Sequence, residues 1–486
     1  MGTLRRAYLL LLAAAGLCLL APAGAQATTP GAQHLHYEFG PLHIQPGQNT
    51  IDFSPTNNRP TVPGYITRFA PNIRRADGSV PPVDVIHLHH AVWLINFQPT
   101  FAAGEEKTTA DLPSGFGWRY RPTDKWLLNY MIHNLTPQSD TVWITYDIDF
   151  VPADSPAAAG ITPVRTQWMD VQYGHAYPVF DVARGSGTHG QFTYPDQAKN
   201  PYGSGPPLNQ WTVDKDGVLV GTAGHLHPGG LRTDLWLTRD GRKVHLFQSA
   251  AHYFEPAGAV SWDVAMSATR PDWRVAVKKG DVLSVTATYD SKRASWYEVM
   301  GIMPVAVAEG VPGVDPFTTP VDRPGVLTHG HLPENNNHGG ANAGLPNPVK
   351  LLSGPVLRGR AASRRSIDIK NFVYGMGDLG LSGARGRPPV IRRGQSLRFN
   401  NADWPRTIYH TITACRAPCN RTTGIAYPIA DGKRQFDSAE LGYGPRGLTA
   451  ASNRVSWSTP VNLPPGTYTY FCRIHPFMRG AFRVVR

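Results

Sequence analysis

The chain has 486 residues, 41% of them hydrophobic and 17% charged, with 49 Gly and 44 Pro, which is enough apolar sequence to bury more than one core and predicts two or three domains. Its formal net charge of +12 would suit an anionic partner, but no nucleic-acid motif accompanies it. Beyond the first residues no apolar run is long enough to span a bilayer.

Arg5 and Arg6 precede an apolar run from Ala7 to about Ala21, and small residues follow at Ala23, Ala25 and Ala27. This pattern predicts a secretory signal peptide over 1–27, and with it a secreted, periplasmic or cell-surface protein. Cys18 inside the run is not read as a lipidation site, because Leu17 precedes it and apolar sequence continues beyond it. Downstream, Val142-Ile144-Tyr146-Ile148-Phe150 and Val285-Ala287-Tyr289 alternate with period two between Gly, Pro and Asp clusters, and no long helical pattern occurs. The class is all-β sandwich.

In the upstream half the chemistry-bearing residues are histidines in short clusters. Ile86-His87-Leu88-His89-His90-Ala91 reads as a strand on which alternation puts His87 and His89 on one face and His90 on the other, unless the strand bulges. His133 follows in Met131-Ile132-His133, just before a strongly alternating strand. In Gly224-His225-Leu226-His227-Pro228 the i, i+2 spacing on a strand aims both rings at one point, and Met300 offers a thioether after the strand Val282 to Tyr289. His87 is either a ligand in place of a neighbour or a partner of one.

From 311 to 355 Pro, Gly and Asn dominate and periodicity is lost, which predicts a linker; His329, His331 and His338 within it read as hydrophilic linker residues or a surface metal site. The charge divides at the same place. From Pro346 to Arg486 there are 22 Lys+Arg and 6 Asp+Glu, a net of +16, leaving −4 for the rest of the +12 chain. An acidic redox partner, external or the upstream half itself, fits that surplus, as does a merely solvated basic surface.

The last domain, 356–486, carries Cys472-Arg473-Ile474-His475-Pro476-Phe477-Met478, which places a thiolate, an imidazole and a thioether within seven positions. Two His nitrogens and a Cys sulfur in a trigonal plane with a weak axial Met make a blue-copper site, and His410 on an earlier strand supplies the missing nitrogen. Structural zinc seldom takes a Met ligand. Of the four Cys, Cys415 and Cys419 are close enough to pair with each other, and Cys472 is left for the metal.

From about Ser366 to the end the sequence resembles the cupredoxins, and its Cys-x2-His-x2-Met run resembles the copper loop of amicyanin in particular. The resemblance implies a Greek-key sandwich. A laccase or copper nitrite reductase pattern is absent, since Phe471 and Arg473 rather than a His flank Cys472. From about Tyr37 to Pro304 the order and spacing of the histidine clusters and Met300 resemble the copper type II, ascorbate-dependent monooxygenases, with Gly280-Asp281-Val282-Leu283 as a further match. That likeness implies two jelly-roll sandwiches, over 28–162 and 163–310, with one mononuclear copper each, at His89, His90 and His133, and at His225, His227 and Met300, the second being the catalytic one. Where amidating members of that family hold a substrate carboxylate, this chain has Ala223, Ile302 and Pro304. The expectation is an exported multi-copper oxidoreductase, monooxygenase-like, acting on an unidentified small molecule and drawing electrons through its own cupredoxin from an external donor. The competing expectation is a non-catalytic copper carrier.

Overall fold

The computed structural model describes residues 29–486 apart from 50, 84, 172–178, 196–208, 255–257, 260–261, 293, 329–364, 380–387, 407, 417–429, 431, 443–453 and 476. The expected leader, Cys18, Cys419, His329, His331 and His338 lie outside the described residues. Among those described there is no α-helix, only strands and short 3-10 turns. The alternating pattern predicts this, because a period of two cannot place an apolar stripe on a helix.

One nine-stranded sheet runs through both upstream sandwiches. Its strands follow the order Gln33–Ile44, Asp140–Pro152, Gly64–Arg74, Phe116–Tyr120, Thr162–Gln167, Val305–Glu309, Gly217–Thr222 and Val275–Val277, with Ala110–Asp111 at the side. The halves join where Phe116–Tyr120 pairs in parallel with Thr162–Gln167. A four-stranded sheet of Ile51–Thr56, Trp126–Asn134, Ile86–Ile95 and Gln98–Ala103 covers the first half. Between the layers Phe69 packs against Trp93, Phe101 and Tyr146, with ring centroids 4.2 to 5.3 Å apart. Over the second half lie Gln191–Tyr194, Val282–Asp290, Gly230–Arg239, Arg242–Tyr253 and Val264–Ala268.

The shared strands are buried on both faces. Val218, Val220, Ala306 and Ala308 enter the first core, while Leu219, Val305 and Val307 enter the second. Such strands read as continuous apolar runs, since neither face meets water.

Residues 311–328, read from the sequence as the start of a linker, are part of the second sandwich. Val326–Leu327 pairs with Val264–Ala268. Asp315 accepts from Arg239 at 3.0 Å, the Arg239 guanidinium lies 4.7 Å over Phe317, and Val321 is buried. Single anchors without period-two alternation hold this segment, so its sequence looks like linker. The remainder of the expected linker, 329–355, lies outside the described residues.

The C-terminal sandwich has one sheet of Ser366–Ile369, Arg398–Asn401 and Ser456–Ser458 and another of Val390–Arg392, Arg479–Val485, Gly466–Phe471 and Thr413–Cys415. Ile367, Phe399, Tyr470 and Phe482 fill its core together with Cys472 and Met478.

Candidate metal centres

The loop after the Gly466–Phe471 strand is closed by backbone bonds. Cys472 N–H donates to Met478 O at 3.1 Å and Met478 N–H to His475 O at 2.9 Å, which turns Cys472 and Met478 into the same core, with His475 buried between them in the loop. His410 reaches that point from the segment before Thr413–Cys415, held by reciprocal backbone bonds with Leu441 at 3.1 and 2.8 Å. Cys472 Sγ lies 4.0 Å from His410 Nδ1 and 3.7 Å from His475 Nδ1, and the two Nδ1 atoms are 3.3 Å apart. All four residues are buried, His410, Cys472, His475 and Met478 at 0% exposure. Among the described residues this is the one place where three His, Cys or carboxylate donors all lie within 4.8 Å of one another.

Both imidazoles are oriented from behind. His410 Nε2 donates to Asp403 Oδ2 at 3.0 Å, and His475 Nε2 to Gly47 O at 3.3 Å. With their protons on Nε2, both Nδ1 lone pairs face the sulfur and each other, an arrangement that a cation satisfies and that repels without one. With a proton on Nδ1 in place of a metal, His410 and His475 instead donate to the sulfur, and although burial opposes the thiolate these bonds hold the thiol well below its ordinary range. Two nitrogens and a thiolate, with the buried Met478 alongside, fit copper. Cys415 is disulfide-bonded, and its expected partner Cys419 is outside the described residues.

Upstream, the strand Ile86–Ile95 slips register against Trp126–Asn134 between Leu88 and His90, so His89 is the extra residue of a bulge. The slip turns its ring beside His133, at 4.5 Å between centroids, and brings its Nδ1 within 3.2 Å of His90 Nδ1. His133 pairs in register with His87, whose ring is 4.8 Å away. His227 from the second sandwich also packs on His89, at 4.3 Å, and His225 lies 5.2 Å from His227. The sequence resemblance implied two separate trios. The structure instead brings His87, His89, His90, His225 and His227, all buried, and the half-buried His133 into one cluster across the seam of the halves. His89, His90 and His133 do not converge on one point within 4.8 Å.

Met300 stands next to the short pair of His225–Leu226 with Gly301–Ile302. The Tyr289 hydroxyl accepts from His227 N–H at 3.1 Å and donates to Met300 O at 2.5 Å, tying the two backbones. The Met300 side chain packs with Met131, Val179 and Ile302.

Burial holds five of these imidazoles, His87, His89, His90, His133 and His227, neutral. It pushes His87 down to about 3 and His90 to about 4, and takes His89, His133 and His227 well below the usual range. The Nε2 atoms of His87, His133, His225 and His227 are buried without a hydrogen-bond partner. Each such orphan costs about 1–3 kcal/mol, which a bound metal removes. The cluster thus has the chemistry of a metal site, with donors presented in pairs across a seam.

Several residues here were not singled out in the sequence. Glu106 sets both carboxylate oxygens 3.0 Å from His225 Nδ1. Burial opposes its charge, yet His225 and the Gly104 N–H hold its carboxyl below the ordinary range. Glu105 accepts from Leu88 N–H at 2.8 Å beside the bulge and pairs with Lys107 at 3.0 Å. Trp262 lies against His87, His89 and His227 at 4.7 to 5.0 Å. The available signal for the acids was Gly104-Glu105-Glu106-Lys107, a charged run inside an apolar hairpin; nothing local marks Trp262 or Asp403. His34 and His36 pair with Asp149 and Asp147 on the outer strand, at 2.9 and 2.7 Å, away from both centres.

The C-terminal copper ligands face the upstream unit. Besides the His475 bond to Gly47, Arg473 donates to Ser295 O and lies 4.6 Å over the Trp296 ring. Arg184 donates to Ala430 O at 3.2 Å. His133 is close enough for the charge of His475 to bear on its protonation.

No family model and no curated protein matches the chain. Among solved structures it is similar to a purple cupredoxin from Nitrosopumilus maritimus, with 20% identity over 20% of this chain and 75% of that one at a TM-score of 0.14. It is also similar to a reduced amicyanin mutant, with 16% identity over 26% and 89% at 0.16. A copper-containing nitrite reductase from Thermus scotoductus shares 14% identity over 55% of each chain, also at 0.16. Overlaps at such TM-scores leave the assignment of the copper centre to its own donors.

Proposed function

We propose that the chain is an exported copper redox protein in which the blue-copper domain exchanges electrons with copper held by the upstream histidines. The finer reading is a monooxygenase-like oxidoreductase that acts on a small molecule beside His225, His227 and Met300. One observation carries the electron-transfer reading: His475, a ligand in the C-terminal set, donates to Gly47 O on the first sandwich, and its charge bears on His133. Copper at the cupredoxin donors would supply one-electron transfer with little rearrangement. The chain's own residues do the rest. Arg473, on Ser295 and Trp296, fixes the docked face; Asp403 and Gly47 hold the two imidazoles; Glu106 holds His225 with Nε2 directed away from the carboxylate.

Cutting the chain within 329–355 should slow reduction of the upstream copper by the C-terminal domain, and added salt should slow it further, because exposed charges are screened beyond about 8–10 Å. The reading fails if the severed upstream unit is reduced at the full rate by a small-molecule reductant and ignores added C-terminal domain. A second reading, the non-catalytic copper carrier, is favoured by the pairwise rather than threefold convergence of the upstream donors. Copper-dependent oxygen uptake with a reductant separates the two.

A further inference from the structure

Between the two upstream sandwiches lies a cavity enclosing about 1020 Å³, its open mouth included. Phe101, Leu112 and Trp118 line it from the first half, and Val220, Ile302 and Val305 from the second. His90, Glu106 and His225 contribute the polar groups nearest the histidine cluster. The charge there is already committed: Glu106 is bound through both oxygens to His225 Nδ1. His225 Nε2 is buried and unpartnered. At the exposed rim Arg270 donates Nε–H to Pro324 O. A second carboxyl, Asp111, is raised by burial to about 6, so the interior is a poor place for further negative charge.

From this lining we propose that the cavity binds a neutral, largely apolar small molecule, of the size of a substituted bicyclic hydrocarbon, with one end against His90 and His225. Carboxylates and other anions are excluded. A buried anion would need a cation to pair with, and inward of Arg270 at the rim it would meet Glu106 and Asp111 instead. Ala223, Ile302 and Pro304 all line the same space and offer no side-chain donor. That the bound molecule is also the substrate rests on the copper oxidoreductase reading; that it binds does not.

The probe is N-phenyl-1-naphthylamine, neutral and fluorescent in apolar surroundings, set against 1-naphthoate, of similar size but anionic. Both are titrated into the full chain stripped of copper by chelation. The expected result is one saturable site for the neutral probe, with naphthoate weaker by about tenfold or more. Ala223→Arg, which puts bulk and a cation on the lining, should lose about tenfold for the neutral probe and narrow the gap to naphthoate. Absence of saturable binding to the folded chain overturns the proposal, as does naphthoate binding as tightly as the neutral probe. If Ala223→Arg does not fold, the probe pair on the unchanged chain still decides. Failure of the oxidoreductase reading looks different: the neutral probe binds, while reconstituted copper gives no oxygen uptake with any neutral candidate.

Discussion

Replacing Asp403 by Asn tests how the C-terminal centre is held. The carboxylate is 1% exposed and takes four donors: Asn371 N–H at 2.8 Å and the Arg406 guanidinium at 2.6 Å on Oδ1, Phe372 N–H at 3.2 Å and His410 Nε2–H at 3.0 Å on Oδ2. Burial works against its charge, but His410 and the other donors hold the carboxyl well below the ordinary range. An Asn side chain keeps one acceptor oxygen and turns an NH2 group toward the other pair of donors, so either Asn371 and Arg406 or Phe372 and His410 lose their acceptor. Bonds to a charged group contribute about 1.5–3 kcal/mol each and an orphaned buried donor costs about 1–3, so metal-free Asp403→Asn should lose about 2–4 kcal/mol. In either orientation His410 loses the charged acceptor that fixes its tautomer, and copper affinity should fall about 10–100-fold, equal to about 1.4–2.7 kcal/mol. Urea unfolding of the metal-free protein measures the first quantity, and copper titration followed by the thiolate absorption band the second. A variant within about 0.5 kcal/mol of the parent and with unchanged copper affinity would refute the reasoning.

Three further outcomes follow from the same geometry. Cys472→Ser should abolish the intense visible band of the oxidised protein while upstream copper binding persists; a retained band removes Cys472 from the site. Gly47 has φ +64° and sits where any Cβ would overlap the Phe372 ring and crowd His475 Nε2, so Gly47→Val should slow electron exchange between the centres with the blue band kept. Unchanged exchange would take the Gly47 contact out of the route. Burial lowers the His245 pKa, but Asp234 at 3.1 Å and Asp322 at 2.7 Å outweigh it and leave it raised. Its stabilisation is fully present below the unfolded value of about 6.5 and is lost as pH rises through the higher folded value. His245→Asn should therefore cost more unfolding free energy at about pH 5.5 than at about pH 8.5; an equal or reversed difference contradicts the pairing.

Local sequence determined the strand content and the C-terminal donors. Alternation such as Val142 to Phe150 has one physical solution, a strand with one buried face, and Cys472, His475 and Met478 lie within a single loop whose backbone bonds bring them together. His410 was legible because it lies on the neighbouring strand segment of the same small sandwich. The upstream arrangement was not. Whether His89 joins His133 depends on a one-residue bulge, and a register slip leaves no trace in composition. That His227 packs on His89, that Glu106 binds His225, and that Trp262 covers the rings are contacts between residues far apart in the chain, decided by how two sandwiches share one sheet. The same holds for Gly47 and His475, separated by 428 positions. Periodicity and short motifs report what neighbours in sequence can do. The seams between sandwiches, where both the histidine cluster and the docked copper loop lie, are set only when distant apolar faces find each other.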